Sequence, residues 1–298
     1  MPAFLRFLPL SFLLSVGIAQ AQTHQLQLDV ARFRNEDVAI KGGVVEVYAT
    51  VAGKHLTYQK RGPKMYQAGA TVTLEAVRAD GASVYQETVT LRPPVLRDTT
   101  AAIKNPISFQ ERLNLPEGQY TLRGTLRDQY RSGFTDIVEQ PLVVEFTSTK
   151  PSMSDVVVLA KPASRSATEA NNFMRNGLSL VRTPGGLYGR GQDKLYFYAE
   201  LYNIAPGQAV TLRYRLRAAN QPKAAAAKDV ATGQSNVQGA DGRPTVLTGE
   251  LDLAKVPLGD YKLTVEVRNA KNQLLASQTA TVRRNPDEYA PAGAVMLR

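Results

Sequence analysis

The sequence predicts an all-β protein built of two tandem antiparallel β-sandwich domains. Three observations carry this prediction. Short runs of alternating apolar and polar residues, separated by turn residues, recur along the chain. One turn-and-strand pattern occurs twice, at residues 113–128 and 256–269. Other strand-like segments repeat in the same order in both halves, as expected of duplicated structural units.

The repeated pattern places a Pro and a Gly before a Tyr that opens an alternating strand. Pro fixes its own φ and Gly accepts a positive φ, so both favour a tight turn. The pattern resembles the tyrosine corner of immunoglobulin-like or fibronectin III-like sandwiches, whose phenol bonds back to upstream backbone. The residues that form the two turns are Pro116, Gly118, Tyr120, Pro257, Gly259 and Tyr261.

Two further segment pairs support a duplication. Residues 47–51 match residues 197–201, and residues 69–79 match residues 207–217. Together with the paired tyrosines, the matched positions are offset by 150 (198 − 48), 138 (207 − 69) and 141 (261 − 120) residues. The offsets differ only by loop lengths, so the sequence predicts two tandem domains rather than a solenoid.

Residues 1–21 are predicted to be a signal peptide. Arg6 supplies a positive charge, the apolar run at residues 7–18 is too short to span a membrane, and Ala19-Gln20-Ala21 is a small-x-small cleavage site. The alternative is an uncleaved anchor. We expect an exported chain that starts at Gln22 and is periplasmic or extracellular, with outer-membrane association left open. Nucleic acid is not expected as a partner there.

The first domain is predicted at residues 22–149. Asp80 and Gly81 form a strong hairpin signal between two alternating runs. A polar stretch around Pro151 marks the boundary to the second domain. The predicted strands of the first domain are residues 25–30, 44–51, 56–59, 70–79, 83–91, 107–113, 120–127 and 137–147.

The second domain is predicted at residues 150–285. Residues 164–172 are polar and favour a helical turn, whereas residues 218–243 lack a sustained apolar period and predict a mobile loop. Residues 286–298 are predicted to be a flexible C-terminal tail. The predicted strands of this domain are residues 156–160, 178–181, 194–202, 209–217, 245–251, 260–269 and 273–282.

The composition excludes several kinds of chemistry. The chain has 298 residues, no Cys and no Trp. Disulfides, thiolate metal sites and a Cys nucleophile are therefore excluded. The Cys-Trp-Cys signature of true immunoglobulin domains is also missing, so only the sandwich architecture is predicted.

No catalytic or metal-binding arrangement is visible in the sequence. His24 and His55 are interpreted as solvated loop residues, without the partners that a zinc site or a Ser-His-Asp triad needs. The Gly-rich residues 185–191 lack the strand-loop-helix setting and the Gly-Lys-Ser/Thr ending of a phosphate loop. We therefore expect no cofactor and no metal, and we predict that the protein is not an enzyme.

The charge distribution suggests an anionic neighbour. The formal net charge is +10, with 16 basic and 14 acidic residues up to residue 149 (16 − 14 = +2) and 20 basic and 12 acidic residues after it (20 − 12 = +8). Such an asymmetry is typical of proteins that bind a polyanion or an anionic surface.

The candidate partner-binding residues lie in the second half. Arg213, Arg215 and Arg217 fall on one face of a predicted strand. They form either a solvated face that discourages edge pairing or a stripe that binds phosphate or carboxylate groups. Lys223, Lys228 and Arg243 would extend the stripe. Tyr188 and Arg190 lie in the Gly-rich residues 185–191, which form either a ligand-contact loop or a long hairpin.

Three segments carry a family resemblance. Residues 154–160, 173–178 and 195–203 form an ordered trio that resembles the β-rich N-terminal part of the GWxTD domain proteins of Bacteroidetes. The resemblance covers about residues 40–285, and it implies an exported protein without an assigned activity. The Gly-Trp-x-Thr-Asp motif is absent, so nothing is carried over from that domain.

These observations lead to one functional prediction and two alternatives. We predict a non-catalytic binding or structural protein of the bacterial cell envelope, whose sandwich modules contact a protein partner. The alternative is a binder of lipopolysaccharide phosphates or acidic glycans through the basic strand face. A hydrolase is the remote alternative. The sequence does not indicate an oligomeric state.

Overall fold

The computed structural model describes residues 24–35, 41–97, 106–146, 149–165, 174–220, 228–287 and 294–295. The predicted signal peptide and Lys223 lie outside these residues. No helix in the described ranges is long and apolar enough to cross a membrane. Their only helical elements are two short 3-10 turns, at Gly53–His55 and Pro184–Gly186. The all-β prediction is therefore confirmed.

The strands are numbered here in chain order. Those before residue 145 are β1 (Leu26–Arg34), β2 (Gly43–Val51), β3 (Tyr58–Gly62), β4 (Met65–Ala68), β5 (Ala70–Arg78), β6 (Ser83–Leu91), β7 (Ile107–Leu115), β8 (Gly118–Asp128) and β9 (Thr135–Val144). Those after it are β10 (Ser152–Met153), β11 (Val157–Leu159), β12 (Ser164–Arg165), β13 (Met174–Arg175), β14 (Leu178–Ser179), β15 (Leu187–Tyr188), β16 (Lys194–Tyr202), β17 (Ala209–Ala218), β18 (Ala231–Gln238), β19 (Thr245–Asp252), β20 (Gly259–Arg268), β21 (Leu274–Arg284) and β22 (Ala294–Val295).

In the first half, two four-stranded sheets enclose a hydrophobic cluster. Their strand orders are β1-β2-β7-β22 and β6-β5-β8-β9. The cluster takes alternate residues from both sheets, such as Val45 and Val47 from β2 and Val72 and Leu74 from β5. Period-two burial of this kind follows from strand geometry, which sends successive side chains to opposite faces. The strands β3 and β4 form a separate hairpin.

In the second half, a five-stranded sheet packs against a smaller one. The larger sheet has the order β15-β21-β20-β17-β18, and the smaller one joins β10, β11 and β19 to β16. A second cluster lies between them and includes Phe197, Leu212 and Val265. The three short strands β12, β14 and β13 form a further small sheet. The domain boundaries predicted from the sequence stay a prediction.

The two Pro-Gly turns have the same geometry. The Tyr120 hydroxyl donates to the Pro116 carbonyl oxygen at 2.9 Å, and the Tyr261 hydroxyl donates to the Pro257 carbonyl oxygen at 2.9 Å. Both phenols are buried. A hydrogen bond from the phenol to backbone a few residues upstream is the defining feature of a tyrosine corner.

Three sequence expectations need correction. The predicted loop at residues 218–243 contains β18, which pairs with β17 along its whole length. The inward residues of β18 include Gly233 and Ser235, so they give only a weak hydrophobic signal in the sequence. The described start of the predicted helical turn, Ser164–Arg165, is a strand. In the predicted tail, Ala294–Val295 pairs in parallel with β7.

A third hydrophobic cluster joins the two halves. It combines Phe33 and Tyr48 of β1 and β2 with Leu159 and Tyr198 of β11 and β16. These residues lie on the sheet faces that point away from the first two clusters. The outer faces of the sheets that contain β2 and β16 are therefore buried against each other.

Candidate functional site

The outer face of the five-stranded sheet carries the predicted Arg stripe. Arg213, Arg215 and Arg217 project from β17, and they alternate with three buried apolar residues. This orientation follows from the period of the strand. Lys262 of β20 is exposed and lies opposite Arg217 in the strand register. The face also presents hydroxyl and amide side chains from β18, namely Thr232, Gln234 and Asn236.

Two of the three arginines are paired with carboxylates. An Nη of Arg215 lies 2.6 Å from an oxygen of Glu266, and Arg217 forms an ion pair with Asp229. Arg213 donates from its Nε to the neutral Gln234 amide oxygen at 3.1 Å. The stripe is therefore partly neutralised by its own neighbours. Among the three, Arg213 is the one that donates to an uncharged group.

Glu266 is the main anion on this face. Burial alone would raise its pKa, but hydrogen bonds and charge from Arg268 and Arg215 lower the pKa of Glu266 below its ordinary value. The carboxylate therefore remains ionised and holds two guanidinium groups on the sheet surface. A ligand anion would compete with Glu266 for the same donors.

Lys228 directly precedes Asp229, the ion-pair partner of Arg217, so this predicted extension lies beside the stripe. Lys228 and Arg243 are exposed. Arg190 is also exposed, but its segment follows β15, which is separated from β17 by β21 and β20. Three strand spacings amount to roughly 14 Å. The fold therefore does not bring Arg190 into the Arg stripe.

Tyr188 does not take part in a binding surface. Its side chain is fully buried in the second cluster, and its hydroxyl donates to the Leu159 carbonyl oxygen at 2.8 Å. Burial raises the pKa of Tyr188 above its ordinary value. The ligand-contact interpretation is therefore wrong for this residue, because Tyr188 packs inward from a strand parallel to β21.

The Gly-rich segment that precedes Tyr188 braces the two halves. The Gly185 N–H donates to Asp29 Oδ2 of β1 at 3.0 Å. Gly186 has a φ of 63°, and a Cβ there would lie 2.5 Å from the Thr281 carbonyl oxygen. Only Gly fits this close approach of two backbones. The glycines at the start of the segment thus serve packing.

Both histidines were interpreted as solvated, and His24 differs from that interpretation. Its Nδ1 lies 2.8 Å from Asp136 Oδ1. His55 is exposed at the end of a 3-10 turn. In the described part of the chain, no group of three or more His, Cys, Asp or Glu side chains is arranged to hold a metal ion.

Sequence reasoning missed a buried charged cluster between the two halves. Its anions are Glu46 of β2 and Glu200 of β16, which are 1% and 0% exposed. Arg175, which is 4% exposed, reaches both of them. It also stacks on Phe33 with its Cζ 3.8 Å from the ring centroid. We call these three charged residues and their tyrosine partners the junction network.

Every oxygen of Glu200 is engaged. Arg175 forms an ion pair with it, and Tyr198 and Tyr202 donate to it at 2.9 and 2.7 Å. The Asn176 amide nitrogen donates to it at 2.7 Å. A carboxylate with this many donors is held in place and is not available as a general base.

The tyrosines of the junction network donate their hydroxyl protons to the two glutamates, and the Tyr198 and Tyr202 oxygens also accept from Asn176 and from the Arg34 N–H. Burial raises the pKa values of Tyr48, Tyr198 and Tyr202, and the charge of the adjacent glutamate raises each further. The phenols therefore stay protonated and supply hydrogen bonds to Glu46 and Glu200. The sequence signal was present but unused, since a Glu interrupts a nearly continuous apolar strand in both halves.

The chain was compared with protein-family models, curated protein sequences and solved structures, and only solved structures match it. No protein-family model matches the chain, and no curated protein sequence matches it. A solved red sea bream transglutaminase covers 87% of this chain at 11% identity and a TM-score of 0.23. A Bacteroides uniformis β-glucuronidase covers 87% at 11% identity and a TM-score of 0.29. The CBD12 structure from CALX1.2 covers 80% at 10% identity and a TM-score of 0.21.

The lengths of these structures differ from that of the chain. This chain covers 31% of the transglutaminase, 32% of the β-glucuronidase and 78% of the CBD12 chain. It thus spans about a third of the length of the two enzymes.

Proposed function

We propose that this chain is a non-catalytic binding or structural protein of the bacterial cell envelope, which contacts a protein partner. The observation that carries the proposal is the junction network, in which one Arg175 guanidinium pairs with carboxylates from both halves. A buried junction of this kind fixes the relative orientation of the two sheet pairs. A component that spaces or presents other proteins needs such a fixed orientation.

The chemistry of the buried carboxylates supports a structural role. A hydrolase needs an acid or base that can reach substrate and exchange a proton. Glu46 and Glu200 are the most deeply buried carboxylates of the described residues. Their oxygens accept hydrogen bonds and ion pairs from Arg and Tyr side chains. Their arrangement suits a clamp between modules.

A second candidate function is the binding of anionic envelope polymers. The observation in its favour is the outer face of the five-stranded sheet, where Arg213 and Lys262 are exposed among hydroxyl and amide groups. The pairing of Arg215 with Glu266 and of Arg217 with Asp229 weighs against it. Most of the cationic charge of the stripe is already balanced.

Affinity capture from envelope extracts separates the two candidates. The chain from Gln22 onward would be used at low and high salt, beside the variant Arg213→Ala/Arg215→Ala/Arg217→Ala. Retention of one protein by both forms at high salt supports the first proposal. Capture of a glycan or lipid that is lost with salt or with the variant supports the second. Hydrolytic turnover by the purified chain would overturn both.

The proposal includes the export of the chain and its family relationship. We infer that the chain is exported and that it is related to the N-terminal part of the GWxTD domain proteins, on the segments described above. Amino-terminal sequencing of the protein secreted from its own precursor tests the first point. A start at Gln22 is expected, and an intact Met1 in the cell membrane would contradict it.

A further inference from the structure

A second basic surface lies in the first half, although the net charge of residues 1–149 is only +2 (16 − 14). Three segments, residues 53–69, 92–97 and 127–133, contain one acidic residue, Asp128. All three lie at the end of the first sheet pair where β5 begins and β8 ends, because Ala70 is paired with Asp128 and with Leu91. The eight cations of these segments are all exposed: Lys54, Lys60, Arg61, Lys64, Arg92, Arg97, Arg127 and Arg131. We call this surface the basic end.

Direct contacts hold the three segments together. Tyr66 of β4 exchanges two backbone hydrogen bonds with Leu96, at 2.8 and 2.7 Å. Arg61 of β3 donates to the Tyr130 hydroxyl and stacks on its ring, with Cζ 5.0 Å from the centroid. The Thr57 N–H donates to Asp128 Oδ2 at 2.7 Å. The basic end is therefore one continuous, ordered surface.

The two described carboxylates at this end, Asp128 and Asp136, accept hydrogen bonds from other groups of the chain. Asp128 is buried and accepts hydrogen bonds from the backbone N–H groups of Thr57 and Tyr130. Asp136, at the start of β9, accepts from Gln25, Leu26 and His24. Within the described ranges, none of the eight cations forms an ion pair with a carboxylate. This distinguishes the basic end from the Arg stripe, two of whose arginines are paired.

Two large apolar side chains are exposed on the segments that form the basic end. Met65 is 45% exposed and Val95 is 40% exposed. Met65 precedes Tyr66, and Val95 precedes Leu96, in the two segments that the Tyr66–Leu96 bridge joins. Exposed apolar side chains on a surface rich in cations without carboxylate partners are typical of surfaces that dock on anionic membranes, where the apolar groups enter the headgroup region. A soluble polyanion would use the cations but not the exposed Met and Val.

We propose that the basic end docks on an anionic lipid bilayer, with the β3–β4 hairpin and the segment around Val95 at the membrane surface. The proposal rests on charge complementarity and on the exposed Met65 and Val95, which we call the apolar tip. It is independent of the protein partner proposed above, because a lipid bilayer is a different kind of ligand.

Vesicle flotation tests the proposal directly. The chain from Gln22 onward would be mixed with vesicles of phosphatidylglycerol and phosphatidylethanolamine, and separately with vesicles of phosphatidylcholine alone. We expect binding to the first and none to the second, with binding lost at high salt. Equal binding to both, or binding to neither, would overturn the proposal.

A charge-matched pair of variants tests the location. Lys60→Gln/Lys64→Gln/Arg97→Gln removes three cations of the basic end, and it should weaken vesicle partitioning about a hundred-fold. Lys255→Gln/Lys271→Gln/Arg165→Gln removes two exposed Lys and one exposed Arg of the second half, which lie outside the Arg stripe, and should leave partitioning unchanged. An equal loss in both variants would mean that only the total charge matters, which contradicts a docking surface.

A third variant tests the apolar tip and separates a membrane from a soluble polyanion. Met65→Ser should weaken vesicle binding several-fold while leaving retention on a heparin column unchanged. Since Met65 is exposed, the substitution does not threaten the fold, and circular dichroism would check this. If Met65→Ser binds vesicles as well as the parent chain does, the apolar tip has no role and the docking model is wrong.

Discussion

At each Pro-Gly turn, one phenol hydroxyl ties the start of a strand to the backbone four residues earlier. Tyr120 and Tyr261 do this in β8 and β20, and each ring is buried in the cluster of its own sheet pair. One side chain thus contributes both apolar burial and a hydrogen bond that closes the turn. The repeated Pro-Gly-Tyr pattern of the sequence therefore corresponds to one repeated hydrogen bond in the structure.

Removing either hydroxyl should have a small and defined effect. Tyr120→Phe and Tyr261→Phe keep the ring in place but leave the Pro carbonyl oxygen without its donor. We expect each to lower the free energy of unfolding by about 1 kcal/mol in urea titrations. Tyr66→Phe, on the exposed hairpin, serves as the control. An unchanged unfolding midpoint in both corner variants would contradict the role of the bond.

Asp136 gives the fold a pH dependence. Burial alone would raise its pKa, but hydrogen bonds from His24 and from the N–H groups of Leu26 and Gln25 lower the pKa of Asp136 below its ordinary value. A carboxylate whose pKa is lower in the folded chain stabilises the fold above the unfolded pKa. This stabilisation is lost as the pH falls through the folded pKa.

The test follows the free energy of unfolding from neutral pH down to about pH 3. Asp136→Asn should make the fall with decreasing pH shallower, because the variant has no carboxylate to protonate at this position. Asp241→Asn, at an exposed turn, should follow the parent curve. A parent-like curve for Asp136→Asn would show that His24 and Asp136 do not stabilise the start of β1.

At the scale of single strands, β18 shows how a strand forms with little hydrophobic content. Its inward residues are Ala231, Gly233, Ser235 and Val237. A Cβ on Gly233 would lie 2.2 Å from the Tyr214 ring, and that ring packs edge-on against Phe197 with centroids 5.0 Å apart. The small residues of β18 therefore make room for the aromatic residues of the neighbouring strands.

Filling this space should destabilise the chain. Gly233→Ala forces the buried Tyr214 ring to move, and we expect a loss of about 1–3 kcal/mol in unfolding free energy. Thr232→Ala, on the outward side of the same strand, is the control. The double variant Gly233→Ala/Tyr214→Leu should recover part of the loss, because the smaller side chain leaves space for the added methyl. Additive losses would show that the two residues do not compete.

The strands differ in how far the sequence predicts them. The runs that became β5, β6 and β17 were placed within a residue or two, because their inward positions are apolar and their turns contain Gly. β18 was missed because Gly233 and Ser235 interrupt its inward apolar positions and leave only a weak hydrophobic signal. The direction of the Arg stripe was predictable from period two. Its neutralisation was not, because Glu266 reaches Arg215 only through the register of β17 against β20.

At the scale of the whole molecule, the two halves are joined through a buried junction and not only through a linker. The sequence shows a Glu inside an apolar strand in each half, but it does not show that these residues meet, because the members of the junction network come from β2, β16 and the short β13. Only the fold brings Glu46 and Glu200 to the same guanidinium. Arg32 of β1 adds a second connection through Asp155, with Nε 2.7 Å from Oδ2.

The junction should couple the unfolding of the two halves. Arg175→Met leaves the buried Glu200 carboxylate without its cation, whereas Glu46 keeps Arg112 at 2.9 Å, and we expect a loss of about 3–5 kcal/mol. Calorimetry should show one transition for the parent chain and two for the variant, as each sheet pair keeps its own cluster. Arg165→Met, at an exposed position, is the control. One unshifted transition in Arg175→Met would show that the junction does not depend on this ion pair.

The basic end also makes the charge distribution of the first half asymmetric. Apart from its eight cations, residues 1–149 hold eight basic and 14 acidic residues, and 13 of the acidic residues lie outside the three segments of the basic end (14 − 1 = 13). A molecule with such a dipole turns in the field of a charged surface before it touches it. Its encounters are then steered, so the association rate, and not only the affinity, falls as salt shortens the reach of the field.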